Sequence, residues 1–171
     1  VGGGGVVRVR DGVRLGRSAL YATRVPAAGR VLGGAGGKPI CTGPGIQELP
    51  KLCQDAQSGF IVTWEDGRSG NYDIYAQRVK TNGDLVWALN GVPVCAAPGD
   101  QYTPAVVADG TGGAIIAWTD FRGGASSDIY AQHLKDVGAR RWGPNGSATG
   151  IAPGAQDSPG MRRDKGGAAS D

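Results

Sequence analysis

Residues 112–120 read GGAIIAWTD and residues 58–66 read SGFIVTWED, so one nine-residue pattern occurs twice, 54 residues apart. Each copy is followed by the pentapeptide DIYAQ, at residues 73–77 and at residues 128–132. The apolar runs inside the two nonapeptides are short, nearly continuous and bounded by glycine and acidic residues. Short continuous runs of this kind are typical of a β-strand that is covered on both faces. The chain is therefore expected to be built from a β-sheet repeat.

The repeat extends along the chain in both directions from this pair. Downstream, Trp87 and the Asn90-Gly91 turn signal return after 55 residues as Trp142 and Asn145-Gly146. Upstream, a third copy is in phase but divergent, and it has Arg10 at the position where the second copy has its first tryptophan. The whole chain therefore follows one period.

This periodicity predicts a single repeat domain. The domain spans residues 1–171, with a divergent repeat 1 at about 5–58, repeat 2 at about 59–112, repeat 3 at about 113–167 and the start of a truncated fourth repeat at 168–171. The sequence is thus expected to be three periods of a longer pattern.

Four short strands are expected within each repeat. Within one period they fall, for example, at residues 104–108, 114–118 and 128–134, with a fourth, weaker strand centred on Trp142. No window has the period of an amphipathic helix. Four strands in about fifty residues are typical of a propeller blade, whose sheet is sandwiched between neighbouring blades. The sequence predicts an all-β fold of three four-stranded, propeller-like blades, with the β-trefoil, also of twelve strands, as the alternative.

Three blades do not by themselves close a propeller, because natural rings have about four to eight blades. An open arc would leave two apolar sheet faces in water, which soluble proteins avoid. Two chains would form a six-bladed ring with twofold symmetry. A homodimer is therefore the expected assembly, with each chain supplying half of the ring.

The composition excludes several classes of protein. The 32 glycines lack the three-residue period of collagen. No apolar stretch is long enough to span a membrane, and no signal sequence opens this chain. Residues 1–38 carry seven Arg or Lys and one acid, but these lack the interleaved aromatic residues of a single-strand nucleic-acid surface. Nucleic acid is therefore not an expected partner.

The three cysteines, Cys41, Cys53 and Cys95, fit neither a zinc spacing nor a CxxC redox pair. Their odd number argues against a full disulfide framework. Because Cys41 and Cys95 lie at the same place in the repeat, they are expected to be small buried apolar side chains.

The motifs resemble the tandem repeats of secreted and cell-surface bacterial proteins. Blades of that kind read roughly DG-x-GG-apolar-W-x-D-x-R, then a short loop and DIYAQR. Here the matching residues run from Asp109-Gly110 through Arg122 and continue at residues 128–132. The resemblance implies a β-propeller-like fold and an extracellular or cell-surface location. It does not imply a particular activity.

Polar residues recur in the hairpin loops, and two interpretations of them are open. In one, an Asp–Arg ion pair and turn chemistry hold each loop in place. In the other, loop oxygens bind calcium, which prefers hard oxygen donors. The candidate metal ligands are Asp66, Asp73, Asp120 and Asp128, and the candidate ligand-binding residues are Arg68, Asn71 and Arg122.

His133 is the only histidine in the chain. It is a candidate general base, with Asp128 or Asp120 as the expected neighbouring carboxylate. The sequence has no G-x-S-x-G elbow, no H-E-x-x-H motif and no Walker loop. Trp64, Trp87, Trp118 and Trp142 recur at strand positions, so they are expected to pack in the core rather than to form sugar-stacking platforms.

Two functions follow from these observations. The first is a non-catalytic, extracellular repeat module that self-associates and binds a carbohydrate or protein through equivalent loops. The second, by analogy with six-bladed lactonase propellers, is a calcium-dependent lactonase or esterase that hydrolyses a small lactone or ester. In that case the loop aspartates would bind calcium and His133 would transfer protons.

Overall fold

A computed structural model describes residues 5–14, 17–26, 36–150, 154–156 and 158–162 of the chain. These residues form strands, turns and loops but no helix. Accordingly, the described part of the chain offers no long apolar helix able to cross a lipid bilayer. The strands are β1 (Gly5–Arg14), β2 (Arg17–Pro26), β3 (Lys38–Cys41), β4 (Gln47–Gln54), β5 (Phe60–Asp66), β6 (Asp73–Val79), β7 (Val92–Cys95), β8 (Gln101–Ala108), β9 (Ala114–Asp120), β10 (Asp128–Leu134) and β11 (Ser147–Gly150).

The strands form three antiparallel sheets in which neighbours along the chain are neighbours in the sheet. The first sheet has the order β1-β2-β3, the second β4-β5-β6-β7 and the third β8-β9-β10-β11. No sheet closes into a barrel. The predicted all-β class, with blade-like sheets, is confirmed. Each four-stranded sheet begins in one predicted sequence period and ends in the next, since β4 precedes the boundary near residue 58 and β8 the one near residue 112.

The fourth strand of each complete sheet does not lie where the sequence suggested. It follows the Asn-Gly turn, as β7 and β11, and Trp142 lies in the connection before it. The backbone N–H of Trp142 donates to Gln132 Oε1 at 2.8 Å, and that of Trp87 donates to Gln77 Oε1 at 2.9 Å. The predicted strand centred on Trp142 is therefore wrong, because a glutamine side chain, rather than a neighbouring strand, takes up this backbone.

The second sheet is covered on both faces, as its sequence predicted. Every residue of β5 is buried. Val62 and Trp64 share a buried cluster with Leu20 of the first sheet. Ile61, on the opposite face, shares a second cluster with Trp118 of the third sheet. Burying one such aliphatic side chain contributes roughly 1.5–3 kcal/mol, so the two interfaces hold the three sheets together.

The two end sheets differ in the chemistry of their outward faces. On the first sheet, Arg8 and Arg10 are exposed at the positions where the second sheet has Val62 and Trp64. On the third sheet, the outward face has apolar residues such as the half-buried Ile115. The expectation of two apolar flanks is therefore wrong for the first sheet, because arginines replace its apolar side chains.

Candidate functional site

The loop after β5 is organised around a buried carboxylate. Asp66 is fully buried and accepts a hydrogen bond from Trp64 Nε1 at 2.7 Å. Arg68 donates to the same carboxylate twice, from Nε at 2.7 Å and from Nη2 at 2.6 Å. Both Asp66 oxygens are thus occupied by donors from their own hairpin. Two-point pairing of this type fixes the guanidinium plane as well as neutralising the charge.

The same guanidinium joins two sheets. It lies 3.9 Å from the centre of the Tyr75 ring, a cation–π contact. Nη2 of Arg68 also donates to Asn90 O at 2.9 Å and to the sulfur of Cys41 at 3.4 Å. Because Cys41 belongs to the first sheet, these contacts tie the second sheet to its neighbour. We call this arrangement of Asp66, Arg68, Tyr75 and Asn90 with Cys41 of the first sheet the inter-blade lock.

A second inter-blade lock joins the third sheet to the second. Arg122 pairs with Asp120 at 2.6 Å and lies 3.7 Å over the Tyr130 ring. It donates to Asn145 O at 3.0 Å and to Cys95 Sγ at 3.3 Å. The candidate residues Asp66, Arg68, Asp120 and Arg122 therefore make structural contacts. The ion-pair interpretation of the loops accounts for them.

The loop donors do not fit calcium in this arrangement. Asp66 and Asp120 already neutralise a guanidinium, which would repel a divalent cation at the same place. Asp73 is buried and accepts hydrogen bonds from Ser69 Oγ at 2.5 Å and Asn71 Nδ2 at 3.2 Å; burial raises its pKa. Asp128 is only half-buried. Within the described ranges, no three His, Cys, Asp or Glu side chains are grouped to hold a metal ion.

Asn71 has a positioning role instead. Its Nδ2 donates to Gly99 O at 2.7 Å, as well as to Asp73. Gly99 precedes the first strand of the third sheet. Asn71 therefore connects the hairpin loop of the second sheet to the chain that enters the third, a contact that needs no external ligand.

His133 lies beside neither of its expected carboxylates. Its Nε2 is 2.8 Å from Asp109 Oδ2, on the turn between β8 and β9. The second sheet has an ion pair at the same place, with Arg78 Nε 2.8 Å from Asp55 Oδ2. The expected pairing with Asp128 or Asp120 is wrong, because the repeat places residue 133 opposite its own turn aspartate. His133 substitutes for an arginine in a structural pair.

Asp109 is held mainly by its turn. It accepts hydrogen bonds from the backbone N–H groups of Thr111 at 2.7 Å and Gly113 at 3.0 Å. Burial acts to raise the pKa of Asp109, but the hydrogen bonds from His133, Thr111 and Gly113 outweigh it, so the pKa is lowered. Asp109 is therefore ionised at neutral pH, and its hydrogen bonds from the Thr111 and Gly113 N–H groups hold the turn whether or not His133 is protonated.

Three aromatic rings that the sequence analysis did not single out meet where the second and third sheets join. The rings of Tyr72 and Tyr102 are 5.4 Å apart, and those of Tyr102 and Phe121 are 6.0 Å apart. All three side chains are half-buried, so part of each ring faces solvent. We call these three residues the aromatic seam.

The aromatic seam is specific to one place in the repeat. The residues in phase with it elsewhere are Ser127 for Tyr72, Glu48 for Tyr102 and Gly67 for Phe121. A residue that recurs is explained by the shared fold, whereas a residue that departs from the period is not. Comparing copies for such departures is the sequence signal that could have found this site.

The backbone beneath the aromatic seam is tightly bonded. Tyr72 N–H donates to Asp100 Oδ1 at 2.9 Å, and Phe121 N–H donates to Asp100 O at 2.9 Å. Gln101 N–H donates to Tyr72 O at 2.8 Å. Three segments from two sheets are thereby held in one arrangement. The rings are positioned before any ligand arrives, which reduces the entropy lost on binding.

Carboxylates surround the rings. A hydrogen bond between the Tyr72 phenol and Glu48 raises the pKa of Tyr72 to about 12. Glu65 is buried, which raises its pKa, and accepts a hydrogen bond from Thr103 N–H at 2.7 Å. The site thus combines ring faces with fixed hydrogen-bond acceptors.

Two cysteine thiols with raised pKa values predict a loss of stability at alkaline pH. Burial raises the pKa of Cys95 from 9.0 to about 12 and that of Cys53 from 9.0 to about 11. The unfolded chain releases these protons first, so their stabilisation is present below pH 9 and is lost as the pH rises through 11 and 12. We expect the free energy of unfolding to fall on the order of 3 kcal/mol between about pH 8 and pH 11, most of it from Cys95, since Cys53 is only half-buried and solvent screens its contribution.

Denaturant unfolding at several pH values would measure this loss. In the Cys95→Ala variant the fall should be clearly smaller, since the more deeply buried of these two thiols is gone. An identical slope for the variant and the natural chain would show that burial of Cys95 does not control the alkaline transition. The structure confirms that Cys41 and Cys95 are buried free thiols.

The described residues therefore separate into two kinds. The recurring polar residues hold blades to one another, and the aromatic seam, at Tyr72, Tyr102 and Phe121, presents rings and acceptors to solvent. Comparison of the chain with protein-family models gives no match, and neither does comparison with curated proteins.

Proposed function

We propose that this protein is a non-catalytic repeat module that binds carbohydrate at the aromatic seam. The observation that carries the proposal is the cluster of Tyr72, Tyr102 and Phe121 at positions where the other copies have small or acidic residues. The repeat scaffold needs none of these rings, because its other copies are built without them. A function is therefore the simplest reason for their presence together.

The chemistry of the site suits a sugar. A pyranose ring has an apolar face of C–H groups, which packs on aromatic rings, and an edge of hydroxyl groups, which need hydrogen-bond partners. Aromatic residues combined with a few fixed polar groups are the usual composition of a small-molecule site. Here Glu48 and Asp100 lie beside the rings, and their carboxylates are suitable acceptors for hydroxyl groups.

The contacts of the acidic residues favour binding over hydrolysis. Glu48 is engaged by the Tyr72 phenol and Glu65 by the backbone N–H of Thr103. His133 pairs with Asp109 on the turn between β8 and β9. None of these groups is arranged as a nucleophile with its base. The resemblance to secreted and cell-surface repeats is compatible with a glycan-binding role.

A glycan array followed by titration calorimetry would test the proposal. Each ring should contribute about 0.5–1.5 kcal/mol, so replacing all three is expected to weaken binding at least roughly tenfold. The best replacements are the residues that the repeat itself has at those positions, namely Tyr72→Ser, Tyr102→Glu and Phe121→Gly. Because other copies fold with these residues, the triple variant should keep its fold, which thermal unfolding would check.

Leu89→Ala provides the matched control. Leu89 is 78% exposed and makes no part of the aromatic seam, so its truncation should leave glycan binding unchanged. The proposal fails if the natural chain binds no glycan on the array, or if the folded triple variant binds as tightly as the natural chain.

A further inference from the structure

The outward face of the third sheet has the side chains that, on the second sheet, bind the next blade. We propose that this face is a docking surface for a further blade of the same repeat, one with an apolar leading face and a turn carbonyl like that of the third blade. The proposal is independent of carbohydrate binding, since it rests on Ile115, Ile129 and Trp142, which form no part of the aromatic seam.

The interface between the second and third sheets supplies the template. The second sheet contributes Ile61, Ile74, Ala76 and Trp87 to the buried cluster at this interface. The residues in phase with these on the third sheet are Ile115, Ile129, Ala131 and Trp142. The chemistry of the two faces is thus nearly the same. Only the face of the second sheet is covered by another described sheet.

An unpartnered hydrogen-bond donor marks where the next blade would attach. In the template, Trp87 Nε1 donates to the backbone carbonyl of Asp136 at 2.8 Å, and Arg78 Nη1 reaches the same oxygen at 3.4 Å. Trp142 is in phase with Trp87, but its indole N–H has no acceptor among the described residues. His133, in phase with Arg78, packs edge-on against Trp142 with ring centres 5.7 Å apart.

Two residues that follow the third sheet, Gln156 and Ser158, already bond to this sheet as β8 bonds to the second sheet. Gln156 N–H donates to Ser127 O at 3.0 Å, repeating the bond from Gln101 N–H to Tyr72 O. Ser158 N–H donates to Thr119 Oγ1 at 3.2 Å, and Thr103 N–H makes the equivalent bond to a side chain of the second sheet. Gln156 and Ser158 are therefore bonded as Gln101 and Thr103 of β8 are, in the place of the first strand of a fourth blade.

The leading face of the occupant must be apolar. In the template that face is formed by Ala114, Ile116 and Trp118. The first sheet of a second copy would instead present Arg8 and Arg10 at the last two positions. Burying such charges without partners is costly, so the first blade of a second copy is a poor occupant. A further blade resembling the third is the better one.

Extending the chain in phase would test this. Residue 162 is in phase with residue 107, so residues 1–162 followed by a second copy of residues 108–162 would complete a fourth blade. In the 171-residue chain the Trp142 indole N–H should exchange with solvent far faster than that of Trp87. In the extended chain we expect at least tenfold slower exchange at Trp142, measured by NMR with Trp142→Phe for assignment, and a higher melting temperature.

The control is a second extended chain in which the appended copy carries Ile116→Arg and Trp118→Arg, as the first sheet does. Its Trp142 indole should remain as exposed as in the natural chain. Unchanged exchange at Trp142 in the apolar extension would overturn the proposal. So would a natural chain that dimerises in light scattering and becomes monomeric on Ile115→Asp, because the occupant would then be a second copy.

Discussion

Replacing Asp66 by alanine is expected to lower the free energy of unfolding by about 3–5 kcal/mol, because it leaves the half-buried Arg68 guanidinium without its counter-charge. Asp66 is fully buried and accepts four hydrogen bonds, one from Trp64, two from the Arg68 guanidinium and one from the Arg68 backbone N–H. Removing it leaves the Trp64 indole N–H unpaired as well, and an unsatisfied buried donor adds to the cost. Denaturant unfolding followed by tryptophan fluorescence would measure the change.

Two further variants separate the ion pair from general damage to the loop. The double variant Asp66→Ala with Arg68→Met should be less destabilised than the sum of its two single variants, since neither charge is then left alone. Asp84→Ala breaks an exposed pair with Lys38, whose atoms are 3.5 Å apart, and should leave the unfolding midpoint unchanged. A loss below about 1 kcal/mol in Asp66→Ala would mean that the lock behaves as a surface ion pair.

The architecture could be predicted from sequence because its determinants are local and repeated. Residues 60–64 and 114–118 are short, nearly continuous apolar runs, and the two copies confirm each other. The burial of β5 on both faces follows from such a run, since consecutive apolar side chains point to opposite faces of the sheet. The repeat also predicted where the inter-blade locks lie, because the pairs Asp66/Arg68 and Asp120/Arg122 recur at equivalent positions.

Two of the errors concern contacts between residues that are not neighbours in sequence. The partner of His133 is Asp109, 24 residues upstream, and register across β8, β9 and β10 decides that pairing. The backbone of Trp142 bonds to the Gln132 side chain, which a strand pattern does not reveal. Such contacts depend on how the hairpins fold back, so the local pattern alone could not supply them.

The aromatic seam was missed for a different reason. Attention to recurring residues selects those that serve the fold, and Asp66, Arg68 and their equivalents turned out to be structural. In a repeat protein, the residues that break the period are freer to serve a ligand. Tyr72, Tyr102 and Phe121 come from three separate segments, and only the packing of one sheet on another brings them together.

Substituting Gly91 by alanine is expected to lower the free energy of unfolding by about 3–4 kcal/mol, through two causes that add. Gly91 has a φ of +84°, and a left-handed conformation costs an L-residue about 1–2 kcal/mol. A Cβ at this position would also overlap the fully buried ring of Trp64 and come within 2.8 Å of Ala76 O. Overpacking of this kind costs roughly 1–3 kcal/mol.

Two other glycines allow the causes to be measured separately. Gly143 has a similar φ of +79° with nothing within 4 Å of its added Cβ, so Gly143→Ala should cost only the backbone strain of about 1–2 kcal/mol. Gly123 has open space and no positive φ, so Gly123→Ala should be nearly neutral. The three variants should therefore unfold in the order Gly91→Ala, Gly143→Ala, Gly123→Ala as denaturant rises. If Gly91→Ala instead matched Gly143→Ala, the Asn-Gly turn would be required for its backbone alone, and the close approach to Trp64 would not limit this position.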